Sequence, residues 1–162
     1  MSLVDLFRRP RLQDPRLGTL RYARGRWTSD AAACFGQRDV ALRIPGSRSA
    51  IASDARELLE GLERQYGVIR AQMLPYLQEH YAPYAENADE LSEKAVKVIG
   101  AIREPEDLWG HITLVRVWVG ARGLPGSVEL AYETAWDIEH TIGVTISGAK
   151  IADFCGSVGP WW

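Results

Sequence analysis

The stretch SVELAYETAW, residues 127–136, alternates with period two. Val128, Leu130, Tyr132, Thr134 and Trp136 fall on one side, Glu129 and Glu133 on the other. Successive side chains of an extended chain point to opposite faces, so the segment reads as a strand with one buried and one wet face. Before it, HITLVRVWVG (111–120) is rich in β-branched residues on both faces, as expected of a central strand. After it, IGVTI (142–146) and KIADFC (150–155) are joined through Ser147-Gly148, a favourable hairpin pair. The connecting GARGLPG (120–126) lacks the Lys-Ser/Thr ending of a phosphate loop and fits a hairpin connection. Residues 111–156 therefore read as a β-meander.

A second β-rich block covers residues 15–45. LGTLRY, RWTS, AACF and DVALRI are short β-like runs separated by turn residues, with a tight turn at Arg24-Gly25 and breaks at Gly36 to Asp39 and Pro45-Gly46. Trp27 is placed to cover the core. Between the two blocks, residues 53–103 read as helical. Leu58, Leu62, Tyr66, Ile69, Met73 and Leu77 recur every three or four residues, which is one face of a helix. Ser53 suits its N-cap, and Pro75 should kink or stop it. A second helix, about 89 to 102, carries Leu91, Ala95, Val98 and Ile102 on its apolar stripe. Asn87 and Glu90 resemble a capping box at its start. The fold class expected is α+β: antiparallel sheet meanders with a long helix and a second helix inserted between N-terminal and C-terminal strands, all in one domain.

Bulk properties narrow the function. The chain has 162 residues, 46% hydrophobic and 25% charged, enough for a core without metal or disulfides. Its net charge of −2 argues against a nucleic-acid backbone as main partner. Residues 1–50 nevertheless hold ten arginines against four acids, and the remainder is acidic. The arginines are scattered without interleaved aromatics, so they read as a solvated β-face more readily than as an anion-binding surface. Cys34 and Cys155 have no CxxC neighbour and read as free thiols of a cytoplasmic protein. MSLVDLFRRP has no signal-peptide run, no segment is apolar enough for a membrane helix, and no cofactor motif is present. The tail VGPWW ends in Trp161-Trp162, which would pack back on the domain or present an apolar patch to a partner or a second copy.

Polar chemistry concentrates in AWDIEHTIGVTI (135–146). Asp137, Glu139 and His140 stand between two strands, with His111 at the mouth of the central strand as a further member. A carboxylate and an imidazole can share a proton or bind a divalent ion. The same residues can also make a turn, Asp137 bonding its own backbone while His140 or Glu139 pairs with an arginine. No HxH or HExxH spacing joins the histidines, and in an extended segment Glu139 and His140 point to opposite faces. No metal ligand set is assigned. His80, in QEHYAPY, reads as an exposed residue near the frayed end of the long helix. There is no GxSxG, and Ser47 to Ser49 reads as a mobile loop.

WDIEHTIGVTISGAKI resembles a motif of small bacterial domains of unknown function: aromatic-Asp-x-Glu-His-x-x-Gly-Val followed by a hairpin. Trp136, Asp137, Glu139, His140, Gly143 and Val144 carry it here. Leu17 to Tyr22 with Trp27 is similar to the N-terminal LGxLxY of the same domains, and the helical middle is not part of the resemblance. Thr141 departs from the pattern, where glycine is expected. Some such domains occur around toxin–immunity systems, so the resemblance implies a protein-binding role and supplies no catalytic one. Two functions follow. The first is a non-enzymatic module, immunity-like, that engages a protein with a basic surface through Glu129, Glu133, Asp137 and Glu139, alone or as a homo-oligomer. The alternative is a small metal-binding or hydrolytic protein using Asp137, Glu139, His140 and His111.

Overall fold

Among the described residues, eight strands form one sheet in the order of the chain. The structure is a computed structural model that describes residues 10–158, without the side chain of Arg122. The first nine residues and Trp161-Trp162 lie outside the described residues. The strands are β1 (Arg11–Asp14), β2 (Gly18–Ala23), β3 (Arg26–Cys34), β4 (Gln37–Pro45), β5 (Ile112–Val119), β6 (Ser127–Thr134), β7 (Thr141–Ser147) and β8 (Lys150–Cys155). Every neighbouring pair is antiparallel except β4 and β5, which are parallel. Three helices fill the crossover between those two: α1 (Ser53–Arg64), α2 (Tyr66–Glu86) and α3 (Glu93–Ala101). The architecture is thus α+β with a mostly antiparallel sheet, as expected, while the parallel join was not anticipated.

The N-terminal turns follow from residues that accept the left-handed region. Arg24 and Gly25 have φ of 51° and 78° and close β2 onto β3. Phe35 and Gly36, at 53° and 73°, close β3 onto β4, one residue before the expected break at Gly36 to Asp39 begins. RWTS and AACF belong to a single strand, β3, whose register shifts between Ser29 and Ala32. Short β1 escaped notice because its RLQD offers no alternation of apolar residues.

The helices depart from expectation in three ways. Ala52, not Ser53, is the N-cap of α1, and no side chain caps it. The chain breaks at Gln65, between α1 and α2, and α2 then runs through Pro75 and Pro83 to Glu86. Ser92, not Asn87, caps α3, accepting the Ala95 N–H at 3.3 Å, and Asn87 instead donates to the Pro83 carbonyl. The apolar stripe itself is borne out: Leu62, Ile69, Met73 and Leu77 are buried, with Leu58 and Tyr66 partly so. Together with Leu59 they share one core cluster with Trp27, Leu42, Val117, Leu130, Tyr132 and Val144.

The other face of the sheet corrects the expected wet face of β6. Glu129 is only 4% exposed and Ala131 is fully buried, whereas Glu133 is exposed. Part of the cover is the segment after β8. Val158 lies against Gly143, where any Cβ would collide with it. Its N–H donates to the Thr141 carbonyl at 2.8 Å, and its own carbonyl accepts from Arg116 Nη2 at 3.3 Å. At the outer strand, Gln72 of α2 accepts the Ile151 N–H and donates to the Ala149 carbonyl. Cys34 and Cys155 are free thiols. Burial pushes the Cys34 thiol up to about 12, which makes it unreactive. Among the described residues, no helix is long and apolar enough to cross a membrane.

Met73 is fully buried where α2 meets the sheet. Met73→Ala is expected to cost about 2–5 kcal/mol, read as a lower urea midpoint with an unchanged slope.

Candidate functional site

The β6–β7 connection is built around one carboxylate. Asp137 is 6% exposed, and its backbone is fixed first: Thr134 Oγ1 accepts the Asp137 N–H at 3.1 Å and donates to the Asp137 carbonyl at 3.2 Å. Its Oδ1 then accepts the N–H groups of Glu139 and His140, both at 3.2 Å, which turns the chain back toward β7. Tyr84, from the last turn of α2, donates its hydroxyl to Oδ2 at 2.5 Å. The His140 ring closes the set, with Nδ1 at 3.1 Å from Oδ1 and 3.0 Å from Oδ2.

Electrostatics follow this geometry. Burial opposes the Asp137 charge, but the Tyr84 hydroxyl, His140 and the Glu139 amide outweigh it and hold the carboxyl below its ordinary value. Tyr84 is pushed up to about 12 by burial and by the carboxylate it serves. His80, one helical turn before Tyr84, stacks on it with ring centroids 5.6 Å apart and accepts the Trp136 indole N–H on Nδ1 at 3.3 Å. Burial moves the His80 ring below its usual value, against the pull of Asp137 and a hydrogen bond to the Gly156 backbone. Its neutral form is therefore the one that fits between Trp136 and Gly156.

The expected site is partly assembled. Asp137 and His140 are in direct contact, and the turn reading of Asp137 is the one the geometry displays. No arginine takes part: His140 pairs with Asp137, and the Glu139 carboxylate has no partner among the described residues. His111 closes the short helix Pro105–His111, and its carbonyl accepts the Ala135 N–H at 2.8 Å. Its ring lines an open cleft of about 310 Å³ with Lys94, Thr113, Glu133, Asp137 and Ile138. His140 does not line that cleft. Among the described residues no three His, Cys, Asp or Glu side chains come together as a metal set. Glu129 and Asp137 are both buried, so the expected acidic face is reduced to Glu133 and Glu139.

Sequence reasoning missed Tyr84 and His80, and it placed His80 as exposed whereas it is half-buried. A signal was present: His80 and Tyr84 continue the stripe of Met73 and Leu77 at helical spacing. The expectation that the helix kinks or stops at Pro75 and frays by His80 hid it.

The fold and the latched turn define an α+β protein of mostly antiparallel sheet with a polar, hydrogen-bonded connection between β6 and β7. The chain matches the family model described as Domain of unknown function (DUF6985) over residues 16–159, and it belongs to that family. The match runs through the helical middle that the motif resemblance left out. No curated protein and no solved structure matches the chain.

Tyr84→Phe removes one hydrogen bond to a buried carboxylate and is expected to cost about 1–3 kcal/mol. Because the folded Asp137 value lies below the unfolded one, its contribution is full above the ordinary carboxylate range. That contribution is lost as pH falls through the folded value. Acid unfolding of Tyr84→Phe should therefore show a shallower loss over that window than the wild type, measured by circular dichroism.

Proposed function

We propose that this protein is a non-enzymatic binding module that presents the β6–β7 connection to a protein partner. The observation that carries this reading is Ile138. It is 82% exposed at the tip of a connection whose backbone is held by Thr134 and Asp137 on either side. A large apolar side chain held in water on a fixed turn suits insertion into a partner's pocket, since little conformational freedom is lost on binding. Exposed Glu133 and Glu139 flank it and favour a partner with a basic rim, which would speed encounter in a salt-dependent way. An immunity-like role, with a basic toxin as the partner, is the specific form of this proposal.

The occupancy of Asp137 supports binding over catalysis. Both its oxygens already serve Tyr84, His140 and the turn, so neither is free to take a substrate proton. One observation favours the hydrolytic or metal-binding alternative: Asp137 orients the His140 ring, whose side chain is 49% exposed. A dyad of this kind needs a nucleophile, and among the described residues no Ser, Thr or Cys hydrogen-bonds to His140. Zinc or manganese that raised the melting temperature of the wild type and left His140→Asn unmoved would favour that alternative.

Affinity capture from the native host should return a specific protein with wild-type bait. Ile138→Asp, or Glu133→Lys with Glu139→Lys, should lose it while melting within a degree or two of wild type. Retention of the same protein by both variants would defeat the proposal.

A further inference from the structure

At the opposite end of β5 from the latched turn, two arginines share one tryptophan ring, and neither pairs with a carboxylate among the described residues. Arg26 of β3 and Arg43 of β4 lie on the sheet face that Trp118 of β5 shares, since Arg43 is the register partner of Trp118 and Arg26 that of Pro45. Their guanidinium carbons stand 5.6 Å and 5.2 Å from the centre of the Trp118 ring. Arg26 Nη1 donates to the Val119 carbonyl at 3.2 Å. Arg43 Nε is buried and has no hydrogen-bond partner, and neither arginine has an ion-pair partner among the described residues. Glu129, opposite Trp118 on this face, acts on Arg116. Burial and the proximity of Arg43 both destabilise the Arg26 charge. Two like charges half-withdrawn from water are costly unless something negative joins them.

Arg26, though not Arg43, also lines a groove of about 470 Å³ between α1 and the ends of β4 and β5. Its walls include Pro45, Leu58, Val119, Leu124 and Pro125, with Asp54 of α1 as its acidic member. Leu124 is 55% exposed there. A mostly apolar concavity with a few charged groups at one side is the usual form of a small-molecule site. Asp54 repels an anion from its own wall and so directs it toward Arg26.

We propose that Arg26, Arg43 and the groove form a binding site for a small organic acid, its oxyanion held by the two guanidiniums and its apolar body in the groove. Guanidinium forks match carboxylate and phosphate oxygens equally in geometry, so either head group satisfies the site. This inference does not depend on the role proposed for Ile138.

The test is a two-dimensional ¹H–¹⁵N titration of the full chain, following the Trp118 indole N–H, with octanoate, octyl phosphate, inorganic phosphate and 1-octanol as probes. Octanoate or octyl phosphate should shift that resonance saturably, and whichever is tighter identifies the head group. Octanol and inorganic phosphate should bind about tenfold more weakly or worse. Arg43→Gln and Arg26→Gln should each weaken the tighter probe about tenfold. Arg43→Lys, which keeps the charge and the aliphatic cover of Trp118 but loses the planar fork, should also weaken it and serves if the glutamine variant does not fold. Arg21→Gln, on exposed β2, should change nothing. Octanol binding as tightly as octanoate, inorganic phosphate binding as tightly as octyl phosphate, or affinity unchanged in both Arg43 variants would overturn the proposal.

Discussion

The parallel pairing of β4 with β5 is the constraint from which the rest of the structure follows. Antiparallel neighbours can be joined by two residues, whereas a parallel neighbour requires the chain to leave the sheet and return from the starting end. The chain leaves after Pro45 and returns at Ile112, and everything helical is laid down in that interval. A connection of this kind packs its helices against one face. That face carries Trp27, Leu42, Val117, Leu130 and Val144 in one cluster with the helices. The 21 residues of α2 span about 30 Å at the ordinary helical rise, comparable to the width of a small domain. Its last turn therefore reaches the β6–β7 connection, and the Tyr84–Asp137 contact exists because the helix does not stop at Pro75.

The two ends of the helical layer are tied down by the same device. Asp14, buried at the end of β1, accepts the N–H groups of Arg16 and Leu17 with Oδ1 and the guanidinium of Arg56 of α1 with Oδ2 at 2.6 Å. Asp137 does likewise with its own turn and with Tyr84 of α2. In each case one carboxylate ends a strand and receives a helix, and its hydrogen bonds offset the cost of burial. Glu63 adds a third tie, accepting the Phe35 N–H at the β3–β4 turn. Some of the chain's acids thus serve internal joints, and the buried Glu129 and Asp137 are unavailable as surface charge.

Strands with regular alternation or strong turn chemistry were legible in the sequence. β6, the Ser147-Gly148 hairpin and the Arg24-Gly25 turn all lie where local pattern puts them, because strand propensity and left-handed φ are short-range properties, although β6 does not bury with period two. The parallel join was not legible, since nothing local distinguishes the edge of a strand that pairs with its successor from one that pairs across a long crossover. Pro75 misled for a related reason: the cost of a helical proline is local, and the burial of Met73 and Leu77 on either side outweighs it. The site was half legible. Asp137 and His140 announce themselves as adjacent polar residues in a connection, but Tyr84 becomes their partner only through tertiary packing. The burial of Glu129 was not legible either, because alternation along β6 cannot reveal what neighbouring strands and later segments lay over that face.

Among the described residues no strand pairs with the outer side of β1 or of β8, and an open edge is a template on which another chain can extend the ladder. β1 limits that risk by being only four residues long. On the other side Gln72 already engages backbone groups at Ala149 and Ile151, the start of β8. A helix side chain there takes the place of the first rung a further strand would make, so the amide of Gln72 occupies the hairpin end of that edge.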